Sequence, residues 1–248
     1  MMEQRYIGKE EFKKYKMYEA SQNAESDLYY YQDIMLKLLY SSVLNENRML
    51  TICSLDRINH EDCTKVYEIV STYDGSLGFT MQRLKNYRTL ATYISKLNDR
   101  NISLEERKKL IRRINDIFEY FDKISFAYYD VHAENIMFKS GDIKLVDLDS
   151  GIFKSIDSER YQQDVVKSNN NLASLYLEIM LGYFEEFSIS YMLTNNQINN
   201  LLSQATSKQL EFLLNAIVGT KSILDLPSYI DSFDEPTVLR MKKIVFGE

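Results

Sequence analysis

The stretch from Phe126 to Gly151, FAYYDVHAENIMFKSGDIKLVDLDSG, limits what this chain can fold into more than any other. It predicts two short apolar strands, Asn135–Phe138 and Ile143–Val146, joined by Lys139-Ser140-Gly141-Asp142. Polar groups with a common chemistry bracket this hairpin. Asp130 precedes Asn135 by five positions, and Asp147 and Asp149 follow the second strand directly. A loop, a hairpin and then an acid suit phosphoryl transfer. One acid orients the attacking hydroxyl, while an amide oxygen and a second acid hold magnesium on the phosphates. The carboxamide of Asn135 adds an oxygen ligand without adding a charge.

Composition narrows the setting. With 248 residues and 45% hydrophobic content, the chain has material for a core in one domain or in two small lobes. Charged residues make up 27% and the net charge is -6, so nucleic acid is not an expected partner. No apolar run reaches membrane-span length, and Met1–Tyr18 lacks the apolar stretch of a signal peptide. Cys53 and Cys63 are the only cysteines, which predicts reduced thiols in a cytoplasmic protein. Cysteine and histidine together are too few for a zinc site built from them.

Periodicity gives a coarse order of elements. Arg5–Met17 reads as short strands or a hairpin. Glu25–Leu44 reads as a helix, with Leu28, Tyr31, Met35, Leu38 and Leu39 at helical spacing and Ser21 or Asn23 as its cap. Lys65–Ser71 and Leu77–Leu84 read as strands around Tyr73-Asp74-Gly75-Ser76. Thr89–Leu97 reads as a short helix. Ser103 and Glu106 form a capping box for a long helix to about Ile124, with Leu110, Ile114, Ile117, Phe118 and Phe121 on one face. After Gly151 helices dominate: Leu172–Leu181 is apolar and expected to be buried, and Gln197–Gln204 and Lys208–Val218 follow.

These residues carry a resemblance. YYDVHAENIM is similar, position for position and without a gap, to the protein-kinase catalytic loop H-R-D-L-K-P-E-N-I-L. KLVDLDSG resembles the strand and D-F-G segment that follow that loop. GFTMQRL, Gly78–Leu84, resembles the strand entering the kinase hinge, and Leu172–Gly182 the buried helix of the larger lobe. The chain thus resembles the protein-kinase-like superfamily in a reduced bacterial or phage form. The resemblance implies an α+β, two-lobed fold: a truncated strand-rich N-lobe with one helix (1–83) and a mainly helical C-lobe (84–248). It also implies ATP and magnesium as cofactors. Asp130 would be the acid-base position, with His132 beside it, and Asn135 and Asp147 the magnesium ligands. Adenine would lie against the backbone of Met81, Gln82 and Arg83.

The departures from the family pattern shape what is carried over. Tyr128 stands for the family's His, and Tyr129 for the Arg that pairs with a phosphorylated activation loop. His132 stands for the Lys that helps hold the transferred phosphate. Asp149 replaces the Gly of D-F-G, as in kinases of the aminoglycoside phosphotransferase type, and either binds metal or caps the next turn. No A-P-E motif follows. Gly8 is the one glycine in YIGKEEFKKYKMY, where a glycine-rich loop belongs. Lys16 is the first candidate for the phosphate-binding lysine, and Lys14 the second. Its acidic partner is Glu25 by charge, or Gln32 or Asp33 by helical position.

Two functions follow from the resemblance. One is an ATP- and magnesium-dependent phosphotransferase, moving the γ-phosphate to a hydroxyl of a protein or a small molecule. The other is a pseudokinase serving as an interaction or regulatory module, which the scarcity of glycines favours. Expected partners are a nucleotide, the hydroxyl acceptor and a protein chain completing the N-lobe.

Overall fold

The computed structural model of the protein describes residues 2–18, 25–94, 102–182, 193–218 and 226–247. It is an α+β structure, with an N-terminal mixed six-stranded sheet followed by a largely helical region. The sheet is built from β1 (Glu3–Ile7), β2 (Lys16–Met17), β3 (Ser26–Tyr31), β4 (Ile34–Leu39), β5 (Val66–Thr72) and β6 (Leu77–Gln82). Their spatial order is β1-β5-β6-β4-β3-β2. Every pairing is antiparallel except β1 with β5. Two short helices interrupt the strands, α1 (Lys9–Phe12) and α2 (Glu46–Ile52), and a 3-10 turn spans Leu55–Arg57. Gly8 is the N-cap of α1, so the one early glycine serves a helix start and not a phosphate loop.

The helix expected over Glu25–Leu44 is instead the β3–β4 hairpin, with Gln32 at its tip in the left-handed region (φ 52°). Ser21 and Asn23, the expected caps, lie outside the described residues. The run Tyr29-Tyr30-Tyr31 is aromatic, and aromatic chains favour a pleated surface over a helix. Alternation then sorts the side chains. Tyr29, Tyr31, Ile34, Leu36 and Leu38 share one face and pack with Ile7, Phe12, Tyr15 and Val70. Lys37 and Leu39 point to the other face. Gln32 and Asp33, candidates for the lysine's partner by helical position, are therefore exposed hairpin-tip residues.

The second region carries β7 (Arg88–Thr89), α3 (Leu90–Ile94), α4 (Leu104–Lys123), β8 (Phe126–Ala127), β9 (Ile136–Lys139), β10 (Asp142–Leu145) and β11 (Ile152–Phe153). Then come α5 (Ser158–Leu181), α6 (Asn195–Ser203), α7 (Ser207–Val218), α8 (Leu226–Asp231) and α9 (Glu235–Phe246). The Ser103–Glu106 capping box opens α4 as expected, and Ile114, Ile117 and Phe121 are buried along it. The helix expected over Thr89–Leu97 begins at Leu90; residues 95–97 lie outside the described residues. Leu172–Leu181, expected to be buried, is the buried half of α5. One apolar core runs from Leu39, Ile52 and Phe79 of the sheet region through α4 and α5 to Met241 of α9. Both cysteines are free thiols, and Cys63 is buried. Among the described residues no helix is long and apolar enough to cross a membrane.

Candidate functional site

The expected hairpin is present. β9 and β10 pair antiparallel from Asp142↔Lys139 to Leu145↔Ile136, and the Val146 N–H donates to the Asn135 carbonyl at 3.0 Å. Residues just outside the open end are therefore neighbours, which places Asn135 beside Asp147. The loop before the hairpin is pinned from three directions. The buried Tyr128 hydroxyl donates to the Val146 carbonyl at 3.1 Å. Asn171 of α5 donates to the Tyr129 carbonyl at 2.6 Å. The Asn135 amide nitrogen donates to both the backbone oxygen (2.9 Å) and the carboxylate Oδ2 (3.1 Å) of Asp130. That geometry fixes Asp130 and leaves the Asn135 amide oxygen as the atom a cation can use.

Asp147 follows with φ 62° and ψ 31°, a left-handed conformation that a non-glycine residue adopts at a cost of about 1–3 kcal/mol. The turn it enters, Leu148–Ser150, is held by Gly151. A Cβ on Gly151 would stand 2.3 Å from the Phe126 ring and 2.7 Å from the Ala127 carbonyl, so only glycine permits this close approach.

Lys37 meets this turn from the sheet. Its Nζ lies 2.5 Å from Asp147 Oδ1 and 2.8 Å from Asp149 Oδ1, and the side chain is 1% exposed. Gly78 allows the reach: a Cβ there would lie 1.9 Å from the Lys37 carbonyl oxygen across the β4–β6 pair. Asp149 is also held by Arg48 of α2, whose Nε and Nη2 lie 3.2 and 2.7 Å from Oδ2. Arg48 Nη2 is further paired with Glu25 Oε2 at 2.8 Å. Burial alone would push the Asp149 carboxyl up, but Lys37 and Arg48 outweigh it and hold it below the ordinary range. Burial dominates at Asp147, with Asp149 adding and Lys37 opposing, so that carboxyl lies above its ordinary range. Burial likewise opposes the charge on Lys37, yet the two carboxylates prevail and raise its pKa.

A cleft of about 730 Å³ opens over these groups, bordered by Glu25, Arg48, Asp130, His132, Asn135, Asp147 and Asp149 among others. His132 Nε2 is 3.6 Å from Asp130 Oδ1, and both side chains are partly exposed to the cleft. Of the site residues singled out in the sequence, Glu25, Asp130, His132, Asn135, Asp147 and Asp149 border this cleft, and the others do not. Lys16 sits on the outer edge strand β2, exposed and paired in register with Tyr30, and does not border the cleft. Lys14 is exposed as well. The lysine facing the acids is Lys37, which the helical reading hid; an apolar run broken by one lysine, Ile34-Met35-Leu36-Lys37-Leu38-Leu39, was its signal.

Asp149 departs from the expected metal ligands, because both its oxygens are bound to buried cations and its side chain is 0% exposed. Met81, Gln82 and Arg83 do not border the cleft. Met81 and Gln82 lie in the β6 ladder, and the N–H groups of Gln82 and Arg83 donate to the Lys65 and Asp33 carbonyls at 2.8 and 3.0 Å. Those two donors belong to the sheet and not to a base. Glu25 does border the cleft, immediately before β3, and its cation is Arg48.

The residues present fit a magnesium ion that brings phosphate with it. Asp147 offers a carboxylate and Asn135 an amide oxygen from the two sides of one hairpin. Among the described residues no group of three or more His, Cys, Asp or Glu is placed to hold a metal. Magnesium needs no such cage, since it keeps waters and completes its shell with phosphate oxygens. No protein-family model matches the sequence, and no curated protein matches it.

Proposed function

We propose that the chain is an ATP- and magnesium-dependent phosphotransferase of the protein-kinase-like kind, with the nucleotide seated between a sheet-bearing N-lobe (1–83) and a helical C-lobe (84–248). The observation that carries the reading is the junction of Lys37 with Asp147, beside an Asn135 whose amide is locked onto Asp130. A lysine, a metal-binding acid, an amide ligand and an acid for the acceptor hydroxyl are the parts phosphoryl transfer uses in kinases. They converge here from β4, the hairpin and the loop before it.

In this reading magnesium, when bound, neutralises charge on the phosphates. Asp147 and Asn135 hold it, and Lys37 swings from Asp147 toward a phosphate oxygen. Asp130 accepts a hydrogen bond from the acceptor hydroxyl and orients it for in-line attack. His132, at the same rim, adds a hydrogen-bond donor next to Asp130. The acceptor is a hydroxyl of a protein or of a small molecule.

A second reading, a non-catalytic nucleotide-binding or interaction module, is favoured by the scarcity of glycine. Gly8 is the one glycine before Gly75, and it caps α1. Incubation with γ-labelled ATP and magnesium, against protein and small-molecule pools, separates the two. Label transferred only when magnesium is present supports the enzyme; binding of Mg·ATP with no transfer to any pool supports the module.

A further inference from the structure

Arg48 borders the cleft and pairs with Asp149, and has no part in the reaction described above. Its guanidinium donates through Nε and Nη2 to one oxygen of Asp149, and Lys37 holds the other oxygen. Asp149 is fully buried, so water does not screen its charge. Lys37 in turn is shared between Asp149 and Asp147. Two cations, Lys37 and Arg48, are thus shared among Asp147, Asp149 and, at the more exposed edge, Glu25. This sharing has a consequence for Lys37. With Arg48 in place, Asp149 keeps a full counter-ion when Lys37 turns toward a phosphate. Without Arg48, moving Lys37 would strand a buried carboxylate, and Lys37 would stay clamped between two acids.

We infer that Arg48 is a positioning residue of the nucleotide site, which neutralises Asp149 and thereby leaves Lys37 and Asp147 available to a phosphate and its metal. The inference rests on the phosphotransferase reading. Three features of its surroundings make Arg48 suited to the task. The helix starts at Asn45, whose side chain accepts from the Arg48 N–H at 2.9 Å, so the residue is fixed at its backbone. Asn47 ties the same helix to Asp157, the cap of α5, at 3.0 Å. Glu25 holds the cleft side of the guanidinium, which keeps Arg48 turned to Asp149 rather than to an incoming phosphate. A planar fork with several donors serves two carboxylates at once, which a point charge does less well.

Calorimetric titration of Mg·ATP into wild type, R48Q and R48Q/D149N tests this, with the melting temperature of each apo protein as a control for folding. R48Q is expected to weaken Mg·ATP binding about 10- to 100-fold, the loss of roughly one charge-assisted hydrogen bond from Lys37 to phosphate. R48Q/D149N removes one charge of each sign and is expected to return to within about threefold of wild type. A merely structural role would lower the melting temperature of the apo protein and leave the Mg·ATP affinity of the folded protein unchanged. R48Q binding as tightly as wild type, or R48Q/D149N binding no better than R48Q, overturns the inference alone. Should R48Q fail to fold, the double variant decides: affinity within about threefold of wild type supports charge neutralisation, and a larger loss overturns it. Wild type that does not bind Mg·ATP at all overturns the phosphotransferase reading, and the inference with it.

Discussion

Lys37 Nζ lies 2.8 Å from Asp149 Oδ1, a buried ion pair between residues 112 positions apart. It joins the middle of the sheet to the turn after the β9–β10 hairpin, and with the 2.5 Å contact to Asp147 it sets the electrostatics of the cleft.

Lys37, and not Lys16, should therefore govern nucleotide binding. Lys37→Met should lower Mg·ATP affinity by at least about tenfold, the loss of one charge-assisted hydrogen bond. Lys16→Ala, at an exposed strand edge, should leave it unchanged. Calorimetry on the two variants checks this, and a large loss from Lys16→Ala with none from Lys37→Met would reverse the assignment.

Asp149 should make stability depend on acid pH. Burial raises its carboxyl, but Lys37 and Arg48 win and hold it below the ordinary range. A group with a depressed folded pKa contributes stability that is present above its unfolded value, about 4, and is lost as pH falls through the folded one. Asp149→Asn should thus cost about 3 kcal/mol near neutral pH, the scale for removing one partner of a buried pair. The gap from wild type should narrow as pH falls below about 4. Urea unfolding of both proteins across that range measures it; a gap that is constant with pH would show that the lost charge is not its source.

Asp130 should matter to turnover and not to nucleotide binding. It sits at the cleft rim, held by the Asn135 amide. Asp130→Asn should reduce phosphate transfer by roughly a hundredfold or more, the scale of a positioned acid-base group, with ATP affinity nearly intact. Transfer rates that survive the substitution would remove Asp130 from the reaction.

Much of this site could be read from sequence because its chemistry is local. Asp130, Asn135 and Asp147 fall within one loop and hairpin, where spacing alone dictates neighbours. The α4 start was equally readable, since a capping box is a contact within four residues. Lys37 and Arg48 were not, because the aspartate they share is more than a hundred positions away and nothing near them in sequence announces that pairing. The β3–β4 hairpin was misread for a related reason. Leu28, Tyr31, Met35, Leu38 and Leu39 satisfy a helical period by chance, while the strands are fixed by pairing with β6 and by the aromatic cluster around Phe12 and Tyr15. Asp149 looked like a ligand because it stands two residues from Asp147, and only the arrival of two cations from the sheet region makes it a counter-ion.

The central claim is that Asp147 binds the magnesium that accompanies ATP. The direct measurement is a calorimetric titration of ATP into wild type and Asp147→Asn, each with and without magnesium. Wild type should bind ATP more tightly with magnesium than without, and Asp147→Asn should lose that magnesium-dependent gain, by about 10-fold or more in affinity. Equal magnesium-dependent binding by the two proteins would contradict the account.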